Sequence, residues 1–415
     1  MKILNPEYRY VHVGIDHNRE VKVDHRGGPL DCAGTQYNIP QLLNERAEVM
    51  QDQVFYIEFK DADAFRDDLI KELVPEEILN KICDLDHPAC LLINNAHEAF
   101  HTVVDDLYQY LIVDSEIPAE KIILMSNSFD ILKCIDQCAL NHEQPAIRAE
   151  FTVDFERGMS HDINHYAEHD VLQDYPVPVT LAVKEYEKKF LNLNRRWRGF
   201  RPMYVTSLLC TGLLDQGFVS LAPSDDGHRF PDYWNDLWNM SYEIPWFRDL
   251  IGPNIDRIKE LPPMYLDTTE MMTNWAQAEQ PGQMNEYYEN SYFSVVAETN
   301  FFTTKQGFEP SRFFSEKTFK AIANCHPILF LSTPGMVSAL KQLGYKSYAP
   351  YIDESYDQIQ DDGDRLLAVL KETERLCNLQ GEELEEFLIN CQEITEYNYD
   401  VLKNKTCFWY PLYDY

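Results

Sequence analysis

The segment from residue 89 to residue 126 constrains the fold more than any other. An apolar run, ACLLINN, opens it. Apolar residues then recur at Phe100, Val103, Val104, Leu107, Tyr110 and Leu111, and a second apolar run, KIILMS, closes it. The two runs have the length and β-branched content of strands, while the middle has the three-and-four spacing of one helix face. Strand, helix and strand in succession point to a sheet with parallel strands and helices on its faces.

The rest of the first half repeats the alternation. Extended stretches are expected at 8–15, 54–59, 89–94, 122–126 and 147–155, and helices at 39–50, 64–72, 76–83, 97–111 and 130–138. A second alternating unit begins near residue 183. It has short strands at 190–193 and 218–221 and a helix at 203–214. A strand follows in SYFSVVAET (291–299), then a helix opening at Ser315, a strand in HPILFLS (326–332), and helices at 334–343 and 361–379. Residues 222–283, rich in Pro, Asp, Trp and Met, fit no regular pattern. The expected organisation is an N-terminal α/β domain over 1–180, a C-terminal α/β domain over 181–380, and a helix with an aromatic tail over 381–415 that packs back on the domains.

Charge narrows the function. The 415 residues carry a formal net charge of −33, which repels nucleic acid and anionic membranes unless a local basic surface overrides the field. No apolar run is long enough to span a bilayer, and MKILNPEYRY turns polar too soon for a secretion signal, so a cytoplasmic, membrane-free chain is expected. The ten cysteines are scattered through apolar segments and read as reduced core thiols. Cys134 and Cys138, four apart on an expected helix, supply only half a zinc site.

Against this acidic background, Lys188, Lys189, Arg195, Arg196, Arg198 and Arg201 crowd into KKFLNLNRRWRGFR, where a strand hands over to a helix. In α/β domains that junction binds ligands, and helix starts favour anions. A second candidate is FSEKTFK (314–320). Ser315 is a natural N-cap there, and Glu316, Lys317 and Lys320 occupy the first turns behind it. Backbone N–H groups and lysines suit a diphosphate, and a carboxylate suits ribose hydroxyls. The bland readings are a solvated charged face and an ordinary capped amphipathic helix.

These segments, FLNLNRRWRGFR (190–201), VAET (296–299) and FSEKTFKAIANCHPILFLSTPGMVSALKQLGYKSYAPYIDESYD (314–357), resemble a family found in tailed phages, giant viruses and bacteria. Its members are read as glycosyltransferases of the GT-B type, with two Rossmann-like domains facing each other across a cleft. The C-terminal part is also similar to the donor segment of α1,3-fucosyltransferases, with Ser315 standing where Thr is usual. The similarity covers most of 185–375 and is thinner over 1–180. Two departures are Phe200 and Ile328, where the family often has His and Phe.

The resemblance implies a nucleotide-sugar donor as co-substrate in the C-terminal half and a hydroxyl acceptor served by the N-terminal half. Arg195 and Arg201 would bind the diphosphate with Lys317 and Lys320 in support. Glu316 would hold the ribose, and Glu298 would orient the sugar or a phosphate-binding arginine. Arginine, lysine and a helix dipole would neutralise the leaving group, so no obligatory metal or other cofactor is expected. Candidate bases for the acceptor are Asp16, after the first strand, and Glu98, after the strand at 89–94. The implied acceptors are a hydroxymethylated pyrimidine in phage DNA, which the acidic balance opposes, or a glycan or small molecule.

A rival motif is His97-Glu98-Ala-Phe-His101, the HExxH pattern of zinc peptidases, with Glu116 or Glu120 as a third ligand. It lies at the start of its expected helix rather than within one. A third reading is a non-catalytic module that binds a sugar nucleotide or an acidic-protein partner.

Overall fold

The computed structural model describes residues 12–15, 21–24, 53–58, 76–86, 89–95, 102–151, 153, 155–156, 158–160, 163–164, 178–194, 199–221, 234–262, 264, 266, 285–303 and 311–405. The helices expected at 39–50 and 64–72 lie outside the described residues. The chain divides into two compact units. One comprises Met1–Gly158, Gln306–Phe313 and Thr406–Tyr415, and the other Met159–Lys305 and Phe314–Lys405.

The first unit holds an antiparallel pair, β1 (His12–Ile15) and β2 (Val21–Asp24), and a parallel sheet. The sheet runs β3 (Gln53–Glu58), β4 (Ala89–Asn95), β5 (Ile122–Ser126), β6 (Arg148–Phe151), in that order. Between strands come α1 (Glu76–Cys83), α2 (Thr102–Leu107) and α3 (Ile131–Asn141). A sequential order makes every crossover step the same way, and crossovers of one hand then lay their helices on one face. The register agrees. Leu91 pairs with Ile122 and Ile93 with Leu124, and all four share a core with Ile82 of α1, Val104 and Leu107 of α2, and Ile135 of α3.

Cys134 and Cys138 lie in that same core. A hydrogen bond to Cys138 and burial push the Cys134 thiol far up, so it stays protonated. The helix expected to reach residue 111 loosens after Leu107 into a π-helical turn, Tyr108–Val113, which Asp114 N–H closes on Gln109 O at 2.9 Å.

In the second unit, β7 (Phe190–Asn192), β8 (Gly217–Val219), β9 (Phe293–Ala297) and β10 (Ile328–Leu331) form a parallel sheet in the order β10-β9-β7-β8. Its strands read almost wholly apolar because both faces are covered. Between β7 and β8 runs α4 (Phe200–Thr211), buried at every position from Phe200 to Leu208. Its Thr206, Ser207 and Thr211 hydroxyls bond back to carbonyls one turn earlier, and Gly212, at φ 77°, ends it.

The stretch 222–283, irregular by pattern, contains three short helices in its described part: α5 (Trp234–Met240), α6 (Pro245–Ile251) and α7 (Ile255–Lys259). Then come α8 (Glu316–Ala323) between β9 and β10, α9 (Met336–Gln342), and the long α10 (Asp362–Cys377) and α11 (Gly381–Lys403). The protein is thus α/β, with two parallel four-stranded sheets. Among the described residues no helix is long and apolar enough to cross a membrane.

Candidate functional site

The order β10-β9-β7-β8 reverses direction once. From the central pair, α4 carries the chain one way to β8, and α8 carries it the other way to β10. At such a switch point the crossovers diverge and leave a crevice beyond the carboxyl ends of the two strands, the usual place for a ligand in open parallel sheets. Here those ends are Asn192–Asn194 of β7 and Ala297–Thr299 of β9. Of the basic cluster picked out in the sequence, Lys188 and Lys189 precede β7 at its opposite, amino end, and Arg196 and Arg198 lie outside the described residues. Arg195 itself lies outside the described residues, and Arg201 stands in the first turn of α4.

Arg201 is 2% exposed, and its Nη2 donates to the main-chain oxygens of Ala297 (3.1 Å) and Glu298 (3.0 Å). It spans the switch point as a strut from α4 to the end of β9. Glu298 is fully buried. Its carboxylate accepts the Ser315 N–H on both oxygens at 3.1 Å, the Thr318 hydroxyl on Oε1, and the Thr299 N–H at 3.3 Å. The carboxylate at the end of β9 thus holds the start of α8. Arg201 and Glu298 belong to one hydrogen-bonded unit, joined through the backbone of β9.

Ser315 caps α8, as its position predicts, with Oγ accepting from the Lys317 N–H. The N–H groups of Ser315 and Lys317 are thereby engaged, so side chains are what this corner offers a ligand. Lys317 Nζ lies 2.7 Å from Glu316 Oε1 and 3.2 Å from Ser315 Oγ, and both side chains of the pair are partly exposed. Burial opposes ionisation of Glu316. The charges of Lys317 and Lys320, with hydrogen bonds from Lys317 and from the residue's own backbone, outweigh it and hold the carboxyl at about 2. Glu316 is an acceptor at every physiological pH.

The start of α9, which follows β10 at the same edge, is filled from within. Gly335 adopts φ 83°, and the buried Asp357 carboxylate accepts the Val337 N–H at 3.1 Å while its carbonyl accepts from Gly335. Burial pushes the Asp357 carboxyl up, against the hydrogen bonds from these backbone groups.

Sequence reasoning passed over an asparagine ladder at the end of β7. Asn192 Nδ2 donates to Val295 O, Asn194 Nδ2 to Asn192 Oδ1 and Ser220 O, and Asn194 N to Ser220 Oγ. Asn194 Oδ1 is buried and has no partner among the described residues. The spacing N-x-N at a strand end, which sets both amides on one face, was the available signal. Arg365 was missed as well. Buried on α10, it donates to Ser332 O, Ile359 O and Phe301 O and pairs with Asp362, tying the loops after β9 and β10 together.

Asp16, Glu98 and the whole HExxH segment (97–101) lie outside the described residues. Glu116 and Glu120 are described, on the turn leading into β5. Among the described residues no three His, Cys, Asp or Glu side chains converge on a common point.

No protein-family model matches the chain, and no curated protein matches it. Among solved structures, it is similar to the N-terminal domain of trehalose-6-phosphate phosphatase from Candida albicans, with TM-score 0.38 and 12% identity over 87% of this chain and 70% of that one. It is also similar to a glycosyltransferase from Rickettsia africae ESF-5, with TM-score 0.31 and 10% identity over 88% and 81% of the two chains. The α/β architecture stands on the strand pairing itself.

Proposed function

We propose that the second unit binds a nucleotide sugar at the switch point and that the protein is a glycosyltransferase. The observation that carries the reading is the corner formed by Ser315, Glu316 and Lys317, fixed by Glu298 at the carboxyl edge of a parallel sheet and next to the buried charge of Arg201. A diphosphate is the ligand that asks for this combination of cations, and a ribose asks for an ionised acceptor beside it. The resemblance over 185–375 supports the same reading.

In this reading Lys317 and Lys320 meet the diphosphate and Glu316 accepts from the ribose hydroxyls. Arg201 and Arg195 add positive charge, Arg201 from beneath. The acceptor oxygen bonds to the anomeric carbon as the bond to the nucleoside diphosphate breaks. The acceptor's proton passes to a base, for which Asp16 and Glu98 remain the candidates. Charge gathers on the leaving diphosphate, and cations held in place before the reaction stabilise it without reorganising.

The test is calorimetric titration with a panel of nucleoside diphosphates, followed by turnover of the matching sugars. The acceptor arms are hydroxymethylcytosine DNA, a glycan and a small hydroxyl compound. A bound nucleoside diphosphate should lose at least about tenfold in affinity in Lys317→Ala and again in Lys320→Ala, since a charged hydrogen bond contributes about 1.5–3 kcal/mol. Absence of binding by the wild type, or unchanged affinity in both variants, overturns the reading.

A further inference from the structure

The amide ladder at the end of β7 can be polarised in one direction only. Val295 O is an acceptor, so Asn192 presents Nδ2 to it, at 2.7 Å, and turns Oδ1 the other way. Asn194 meets that oxygen with its own Nδ2, which also donates to the Ser220 carbonyl at 3.0 Å. Both N–H bonds of the Asn194 amide are thus engaged by acceptors, and a flipped amide would set oxygen against oxygen twice. The ladder runs outward along the strand and ends on Asn194 Oδ1. That oxygen is buried, on a residue 1% exposed, and has no partner among the described residues. A buried acceptor without a donor is destabilising, and nothing in the sheet offsets it.

This acceptor stands at the switch point. Three residues beyond the Leu191–Ser294 pair, Asn194 comes level with Ala297, whose carbonyl Arg201 holds. All of these residues, with Glu298 and the start of α8, belong to the second unit. An amide oxygen cannot be satisfied by a diphosphate, which offers acceptor oxygens only, but it can be satisfied by a hydroxyl. Of the parts of a nucleotide sugar, the diphosphate matches the lysines and the ribose matches Glu316. The base is separated from the diphosphate by the ribose. The transferred sugar is bonded directly to the diphosphate and is rich in hydroxyls. We propose that Asn194 is a specificity-determining residue whose Oδ1 accepts from one hydroxyl of the transferred sugar. The inference rests on reading the switch point as the nucleotide-sugar site, and it names the part of the donor that meets β7. A neutral acceptor held by a closed ladder selects for one hydroxyl, since an analogue lacking it leaves the oxygen unpaired again.

The experiment is calorimetric titration of the full chain with UDP, GDP, UDP-glucose, GDP-mannose, glucose 1-phosphate and mannose 1-phosphate, comparing wild type with Asn194→Ala. Affinity for the sugar-bearing ligand should fall about three- to tenfold in the variant, while affinity for the matching nucleoside diphosphate stays as in the wild type. Singly deoxygenated forms of that sugar complete the test. One of them should bind wild type more weakly by a similar factor and lose nothing further in the variant. Asn194→Ser, which keeps a hydroxyl to donate to Ser220 O, takes the place of Asn194→Ala if the latter does not fold. A purely structural ladder would lower affinity for the nucleoside diphosphate and its sugar alike, and that result, or additive losses in the deoxygenated series, overturns the proposal. Unchanged affinity for every ligand, the outcome if only water meets Oδ1, overturns it as well, and so does a wild type that binds no sugar-bearing ligand. Binding of a sugar 1-phosphate that depends on Asn194, with no binding of any nucleoside diphosphate, would refute the nucleotide reading and leave the hydroxyl contact standing.

Discussion

Replacing Glu298 with glutamine changes one oxygen for an NH2 group and nothing in shape, so its effect isolates the charge that holds α8. The carboxylate, fully buried, now accepts from Ser315 N–H, Thr318 Oγ and Thr299 N–H. In the amide, one oxygen remains for Ser315. The Thr318 hydroxyl can reverse to accept one of the new N–H bonds, and the second N–H faces donors. Charge-assisted bonds exceed neutral ones by about 1 kcal/mol each, and a buried unsatisfied donor costs about 1–3 kcal/mol. Relief from burying a charge offsets part of this, leaving about 2–4 kcal/mol. For a unit of about 150–250 residues that corresponds to a fall in Tm of about 5–15 °C by calorimetry. The Ser315 amide should lose protection in hydrogen exchange as well. A fall below about 2 °C with Ser315 protection intact would refute the assignment of Glu298 as the anchor of the helix start.

Two further outcomes follow from the same geometry. The folded carboxyl of Glu316 titrates at about 2, below its ordinary 4.5, so its stabilisation is present above the unfolded value and is lost as pH falls from about 4.5 to 2. Partial exposure of the pair limits this to about 1–3 kcal/mol. Denaturant melts of wild type and Glu316→Gln should therefore differ at pH 6 and converge near pH 2, and a constant difference would contradict the pairing. Gly217→Ala would place a methyl 2.4 Å from ring atoms of the fully buried Phe190 on the neighbouring strand, so about 1–3 kcal/mol of overpacking should appear in the same melts.

What the sequence disclosed depended on whether the deciding interaction was local. Strands β4 and β5 were legible because ACLLINN and IILMS are short apolar runs of strand length, and α3 because its apolar positions recur at helical spacing. The Ser315 cap was legible because it is made within one turn. The switch point was not, since strand order depends on which faces the crossovers take rather than on any single segment. The burial of Arg201 was hidden for a related reason. A basic cluster reads as exposed until a neighbouring strand is seen to offer its carbonyl oxygens. The helices at 234–259 escaped notice because each is one or two turns long, with proline, aromatics and charges breaking the period. Asp130 read as a helix start, and nothing nearby in sequence betrays Arg312, its ion-pair partner 182 residues away.

That separation has a consequence for synthesis. A ribosome adding about 5–20 residues each second needs roughly 10–40 s to travel from Asp130 to Arg312. During that interval the sheet of the first unit can assemble from β3 to β6, but its carboxylate at the head of α3 has no guanidinium to meet. A nascent chain halted before residue 312, or a fragment expressed to residue 158, would keep this acid unpartnered. The first-made half of the protein is thus among the last to be finished.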